Sequence, residues 1–113
     1  MKTFAEYEDA RCQFDVPFPN ADTLWYLALG VGGEAGELVD AVKKTFREDQ
    51  GVPTEHRRSL ILKEAGDVLW YLTKLLKQLD SNLGEVCQIN INKLKTRKKN
   101  GSLSESSKRL ATR

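Results

Sequence analysis

Histidine, cysteine, proline and methionine are all scarce in this chain of 113 residues, and each scarcity closes off a class of chemistry. His56 is the only histidine, so a metal centre built on paired imidazoles is excluded. Cys12 and Cys87 are the only cysteines. They lack the partner spacing of a zinc site and are too few for a disulfide framework, so they read as reduced, packed thiols. No apolar run is long enough to span a membrane. The opening Met1-Lys2-Thr3-Phe4-Ala5-Glu6 turns acidic at once and lacks the apolar stretch of a secretory signal. The expected location is therefore cytoplasmic. No segment sustains the alternation of a strand, so the expected class is all-α.

What is present is one acidic phrase that occurs twice. Glu34-Ala35-Gly36-Glu37 is followed by Glu64-Ala65-Gly66-Asp67. On a helix, carboxylates three residues apart share a face. Turn signals lie midway between the phrases, at Asp49-Gln50-Gly51 and Pro53-Thr54. If one helix ends near Glu48 and the next begins near Thr54, both phrases sit roughly 15–17 Å from the bend, at about 1.5 Å per residue. In an antiparallel hairpin the four acids then meet at one height.

The rest of the chain reads as helix on either side of that hairpin. Thr3 and Glu6 form a capping-box pattern ahead of a first helix to about Phe14, which Pro17 and Pro19 stop. The second helix is expected from about Asp22 to Glu48, with Leu24, Leu27, Val31, Leu38, Val42 and Phe46 at helical spacing. The third is expected from about Thr54 to Asp80, and a turn at Ser81–Gly84 leads to a fourth from Glu85 to Lys99. The architecture expected is a four-helix protomer with a central antiparallel hairpin. Residues 1–100 make one domain, and residues 101–113 make a loosely ordered, basic, Ser-rich tail.

Gly30, Gly32, Gly33 and Gly36 fall inside the second helix, where each costs about 1 kcal/mol against Ala. Close approach of a second helix, or of a ligand to the carboxylates, is the expected gain. The stretch Gly30-Val31-Gly32-Gly33-Glu34-Ala35 also matches a dinucleotide-binding pattern. That reading fails, because no strands exist to build the sheet and Glu34 and Glu37 would repel a pyrophosphate.

Four clustered carboxylates raise one another's pKa unless cations sit among them. All-oxygen ligands favour Mg²⁺, with Mn²⁺ or Ca²⁺ as substitutes, and Mg²⁺ commonly completes its shell with substrate phosphates. Charge along the chain is uneven. From Lys93 onward there are eight Lys or Arg against one acid, Glu105, whereas residues 1–92 carry ten basic and fifteen acidic side chains. Within the basic part, Asn90, Lys93 and Arg97 share a helix face. Lys and Arg there suit phosphate oxygens, and Asn suits a ribose hydroxyl or base edge.

These residues resemble a family. Glu-x-x-Glu, a gap of under thirty residues, then Glu-x-x-Asp is similar to the signature of the all-α nucleotide pyrophosphohydrolases of the MazG type. Leu27 to Leu38, Lys63 to Leu72 and Asn90-x-x-Lys93-Leu94-x-x-Arg97 extend the likeness over about residues 3–100. The resemblance implies hydrolysis of a nucleoside triphosphate to the monophosphate and pyrophosphate. It assigns Glu34, Glu37, Glu64 and Asp67 to Mg²⁺ and to catalysis, with one glutamate as base, and Lys93 and Arg97 to the phosphates. It also implies a homodimer or a dimer of dimers, consistent with apolar residues on several faces of the long helices. The segment from Gly101 to Arg109 lacks the Asp that such relatives carry there.

Trp25 is the aromatic candidate for the base; Trp70 and Tyr71 read as core. Asp40 reads as solvated or as support for Glu37, and Lys44 and Lys63 as surface charge. Two other classes stay open at this point. One is a nucleic-acid-binding or regulatory module led by the basic C-terminal segment. The other is a structural helical assembly in which the Glu pairs serve ion pairing. Neither nucleic acid nor membrane is the expected partner.

Overall fold

The computed structural model describes residues 1–16 and 19–101, and its elements follow from local sequence. Helix α1 spans Phe4–Arg11 and runs on into a 3-10 turn at Cys12–Phe14. The Thr3 hydroxyl accepts from the Glu6 amide, as a capping residue should. The box is only half closed, because the Glu6 carboxylate accepts from the Lys2 amide instead of reaching Thr3. Pro17, expected to stop this segment, and the tail from Ser102 lie outside the described residues.

Helices α2, Leu24–Glu48, and α3, Glu55–Gln78, form the expected antiparallel hairpin. Gln50 and Gly51 turn the chain with left-handed backbone, and the Gly51 amide returns to the Thr45 carbonyl. Thr54 caps α3 by accepting from the Arg57 amide. Arg57 then reaches back over the bend, donating to Asp49 at 2.8 Å and to Glu48 at 2.6 Å. Its side chain is almost covered, so the pair with Asp49 is partly shielded from water and ties the hairpin end together.

The inner seam of α2 places Leu27, Glu34 and Ala41 seven residues apart, with Leu27 fully buried and Ala41 buried. From α3, Leu76 is buried beside polar Thr73 and Lys74. Lys74 pairs with Asp15 at 3.4 Å and Asp22 at 3.1 Å, and its ammonium lies 4.8 Å from the Trp70 ring centroid. Arg11 bonds Asp15 at 2.7 Å and also lies over Trp70, at 5.5 Å. This cation–aromatic cluster fastens α1 and the following segment to α3.

Three expectations fail here. Leu24, Val42 and Phe46 share the helical period of α2 but face outward, because a 25-residue helix with apolar residues on two sides can turn only one of them to α3. Cys12 and Cys87 are exposed thiols, not packed ones. Helix α4 spans Leu83–Lys99, starting two residues earlier than expected, because Asn82 caps it by accepting from the Glu85 amide.

The chain divides into two compact units, Met1–Asp80 and the part from Ser81 onward. The second consists of α4, whose last turn carries Arg97, Lys98 and Lys99 where the helix dipole favours positive charge. Among the described residues there is no strand, and no helix is long and apolar enough to cross a membrane.

Candidate metal and nucleotide site

The acidic phrases face each other across the hairpin, as their equal distance from the bend requires. Glu34 of α2 meets Glu64 and Asp67 of α3, and one carboxylate oxygen from each lies within 4.8 Å of the others. Among the described residues these three form the one such cluster of potential metal ligands. Glu34 lies on the α2 seam with Leu27 and Ala41, which aims it straight at α3. Glu64 and Asp67, three apart on α3, straddle the facing line. Glu37 is about 60° round α2 from Glu34 and one turn further on, exposed and outside the trio. Four acids were expected to converge, and three do.

Close helix spacing beside this cluster has a cause in Gly30, one turn before Glu34. The ring of Tyr71, one turn after Asp67, lies on the bare Gly30 backbone, and a Cβ there would overlap it. Tyr26 of α2 is also near enough to Tyr71 of α3 to act on its pKa. The other glycines behave differently: a Cβ at Gly32, Gly33, Gly36 or Gly66 meets nothing within 4 Å. Close helix contact therefore explains Gly30 alone.

The electrostatics follow from this packing. Partial burial raises the Glu34 pKa first, and the charges of Asp67, Glu64 and Glu37 raise it further. Burial likewise raises Tyr71, helped by neighbouring Tyr26 and by the negative charge of Glu34 and Asp67. Tyr7 of α1 is raised by burial and by Asp67, against a lowering influence from Arg11. Tyr7 and Phe4 also line a mostly apolar cleft of about 480 Å³ with Met1, Lys2, Thr3 and Leu69.

The donor set is three hard carboxylate oxygens with no nitrogen or sulfur, which fits Mg²⁺ or Mn²⁺ and not a zinc site. A divalent ion there would offset the burial and the neighbouring charges that together hold the Glu34 pKa up.

The remaining candidates are placed as follows. Trp25 is exposed and edge-on to Tyr26, about half a turn round α2 from Glu34, so it points away from the trio. Asn90 and Lys93 are exposed on α4, and Arg97 is half-buried there. Asp40 pairs with Lys43 at 3.5 Å and Lys44 at 3.3 Å on the outside of α2. That is the surface role expected for Lys44. Lys63 is exposed. Sequence reasoning weighed Tyr26 and Tyr71 as groups that could stack on a base and set them aside as core, without placing them beside the acidic phrases. The available signal was position: Tyr71 is four residues after Asp67 and Tyr26 four before Gly30, so each lies one turn from a site residue.

Comparison with known proteins adds a family and a relative. The MazG nucleotide pyrophosphohydrolase domain matches residues 22–102, which include both acidic phrases and α4. The "Gene 37 protein" of Mycobacterium phage L5 is 46% identical over 78 residues, covering 69% of this chain and 68% of that protein. No solved structure matches.

Proposed function

The chain belongs to the MazG nucleotide pyrophosphohydrolase family, and from that premise we propose that it hydrolyses a (deoxy)nucleoside triphosphate to the monophosphate and pyrophosphate. The cofactor in this reading is Mg²⁺, with Mn²⁺ as a substitute, the setting is the cytoplasm, and the role is clearing of the nucleotide pool. The observation that carries it is the carboxylate trio brought together by two facing helices, within which burial and the neighbouring charges hold Glu34 above its ordinary pKa.

In this reading Glu34, Glu64 and Asp67 would hold a divalent ion, which when bound would supply positive charge against the triphosphate and lower the pKa of a nearby water. Water oxygen bonds to the α-phosphorus, and the bond from that phosphorus to the bridging oxygen breaks, releasing pyrophosphate. A carboxylate takes the water's proton. Glu37 suits that task, since it is exposed, close enough for its charge to act on Glu34, and not one of the three converging oxygens. It serves equally as a further ligand. Lys93 and Arg97 are assigned to phosphate oxygens and Asn90 to a sugar hydroxyl or base edge, on their helical spacing and the family resemblance. The protein is at least a homodimer in this reading. Trp25 gains no support as a base-stacking residue from its place on α2.

The test is incubation with each standard and deaminated nucleoside triphosphate, with and without Mg²⁺, followed by separation of monophosphate, diphosphate, pyrophosphate and phosphate. Metal-dependent monophosphate and pyrophosphate, lost in Glu37→Gln and Glu64→Gln, is the expected result. Diphosphate with phosphate would overturn the bond assignment. Mg²⁺ binding without turnover of any nucleotide would instead favour a regulatory protein that has kept the cluster.

A further inference from the structure

Helix α1 is seated on α3 by charge more than by apolar burial. Of its eight residues the buried one is Arg11, at 3% exposure. Phe4, and Phe14 and Val16 just after the helix, are 48%, 70% and 52% exposed. The hairpin is held differently, with Leu27, Ala41 and Leu76 buried along its seam.

The contacts of α1 advance along α3 in step. Tyr7 shares a cleft with Leu69 and feels the charge of Asp67. Arg11 lies over Trp70, and Asp15 reaches Lys74. Tyr7, Arg11 and Asp15 are four apart, and their neighbours follow in the same order on α3, so α1 and the turn after it run alongside α3 in its own direction. The Arg11–Asp15 anchor therefore fixes where Tyr7 stands, about one turn away, beside Asp67 of the acidic trio.

That anchor hangs on one carboxylate. Arg11 and Lys74, both buried, flank the Trp70 ring, and Asp15 serves both, at 2.7 Å and 3.4 Å. Asp22 gives Lys74 a second acid at 3.1 Å, from a largely exposed side chain. Burial acts to raise the Asp15 pKa, but the bond to Arg11 and the charges of Arg11 and Lys74 overcome it and hold it low. Take the Asp15 charge away, and two buried cations are left across one ring with much of their compensation gone.

We propose that this cluster is a latch and α1 a lid: the charge of Asp15 keeps α1 seated beside the acidic trio, and α1 swings clear when that pairing breaks while the α2–α3 hairpin stays folded. A ligand filling the cleft would touch Phe4 and Tyr7 on α1 and Leu69 on α3, so it binds with α1 seated, and the strength of the latch sets the competent fraction. The inference rests on the proposed function only in calling the trio the site that α1 flanks. The latch itself needs neither metal nor nucleotide.

Amide hydrogen exchange of the full chain, without ligand, tests it. Amides of α1 should exchange through local opening, with far less protection than those of α2 and α3. Asp15→Asn should speed exchange in α1 by about tenfold to a hundredfold and leave the hairpin amides as they were. Lys74→Met keeps the stem against Trp70 and drops the charge; it should also loosen α1, with Lys74→Arg restoring protection. Unchanged α1 exchange in both Asp15→Asn and Lys74→Met would overturn the latch. Equal acceleration in α1 and the hairpin would overturn the lid, because the cluster would then belong to the global fold. If Asp15→Asn fails to fold, Lys74→Met gives the same readout. Added Mn²⁺ should broaden the NMR signals of Tyr7 as well as those of Gly30, and broadening of Gly30 without Tyr7 would overturn the seat beside the trio. Broadening of neither would count against the metal reading, and the exchange result would still decide the latch.

Discussion

Replacing Gly30 with alanine should destabilise this protein, although alanine is the better helix former. The exchange favours the α2 helix by about 1 kcal/mol through backbone entropy. At Gly30, however, the new methyl overlaps the Tyr71 ring. Overpacking of that kind costs about 1–3 kcal/mol, and the contact is with the rigid ring of Tyr71 near its root, which cannot swing aside cheaply. The net expectation is a loss of up to about 2 kcal/mol, at about 4–8 °C of melting temperature per kcal/mol for a chain of this size. Gly66→Ala supplies the contrast. Its Cβ meets nothing within 4 Å, so the full propensity gain should appear as a rise of about 5 °C. Differential scanning calorimetry of the two variants beside wild type measures both. Because Tyr71 is one turn from Asp67 and Gly30 one turn from Glu34, spreading the helices should also lower Mn²⁺ affinity in Gly30→Ala. A Gly30→Ala protein as stable as Gly66→Ala would refute the claim that this contact sets the helix spacing.

Protons and metal should compete at Glu34. Its pKa stands above the usual carboxylate range in the folded protein, so the native state holds a proton that the unfolded chain has already released. Metal-free stability should therefore fall as pH rises through that window, while Mn²⁺ affinity rises across it; calorimetric titration at several pH values checks the second trend. Saturating Mg²⁺ should reverse the loss, with about 2.7 kcal/mol of added stability at a hundred times its dissociation constant and none in Glu64→Gln, read by thermal melting. Arg57→Ala removes the bonds to Glu48 and Asp49 and should lower the urea midpoint, with Arg57→Lys recovering only part of the loss.

The hairpin was legible because two features agree: a repeated acidic phrase and a bend at equal distance from each copy. Its detail was less so. Glu34 and Glu37 share a face by spacing, but the line toward α3 passes through Glu34 with Leu27 and Ala41, and 60° of rotation is enough to leave Glu37 outside. Period alone also does not say which of two apolar stripes is inward. Leu24, Val42 and Phe46 carry the same signal as buried Leu27 and face the other way. The glycines look alike in sequence, yet Gly30 alone meets a neighbouring side chain across the hairpin, because only there does a tyrosine lie on the facing helix. The cluster of Arg11, Asp15, Asp22, Trp70 and Lys74 draws on positions up to sixty residues apart, and no local pattern announces it.

In the proposed reaction Glu34, Glu64 and Asp67 serve attack of water on the α-phosphorus of a nucleoside triphosphate. Turnover of the preferred nucleotide in heavy-oxygen water, with products read by mass spectrometry, tests it directly. Label is expected in the monophosphate and none in the pyrophosphate, dependent on Mg²⁺ and lost in Glu64→Gln. Label in the pyrophosphate, or turnover that survives Glu64→Gln, would contradict it.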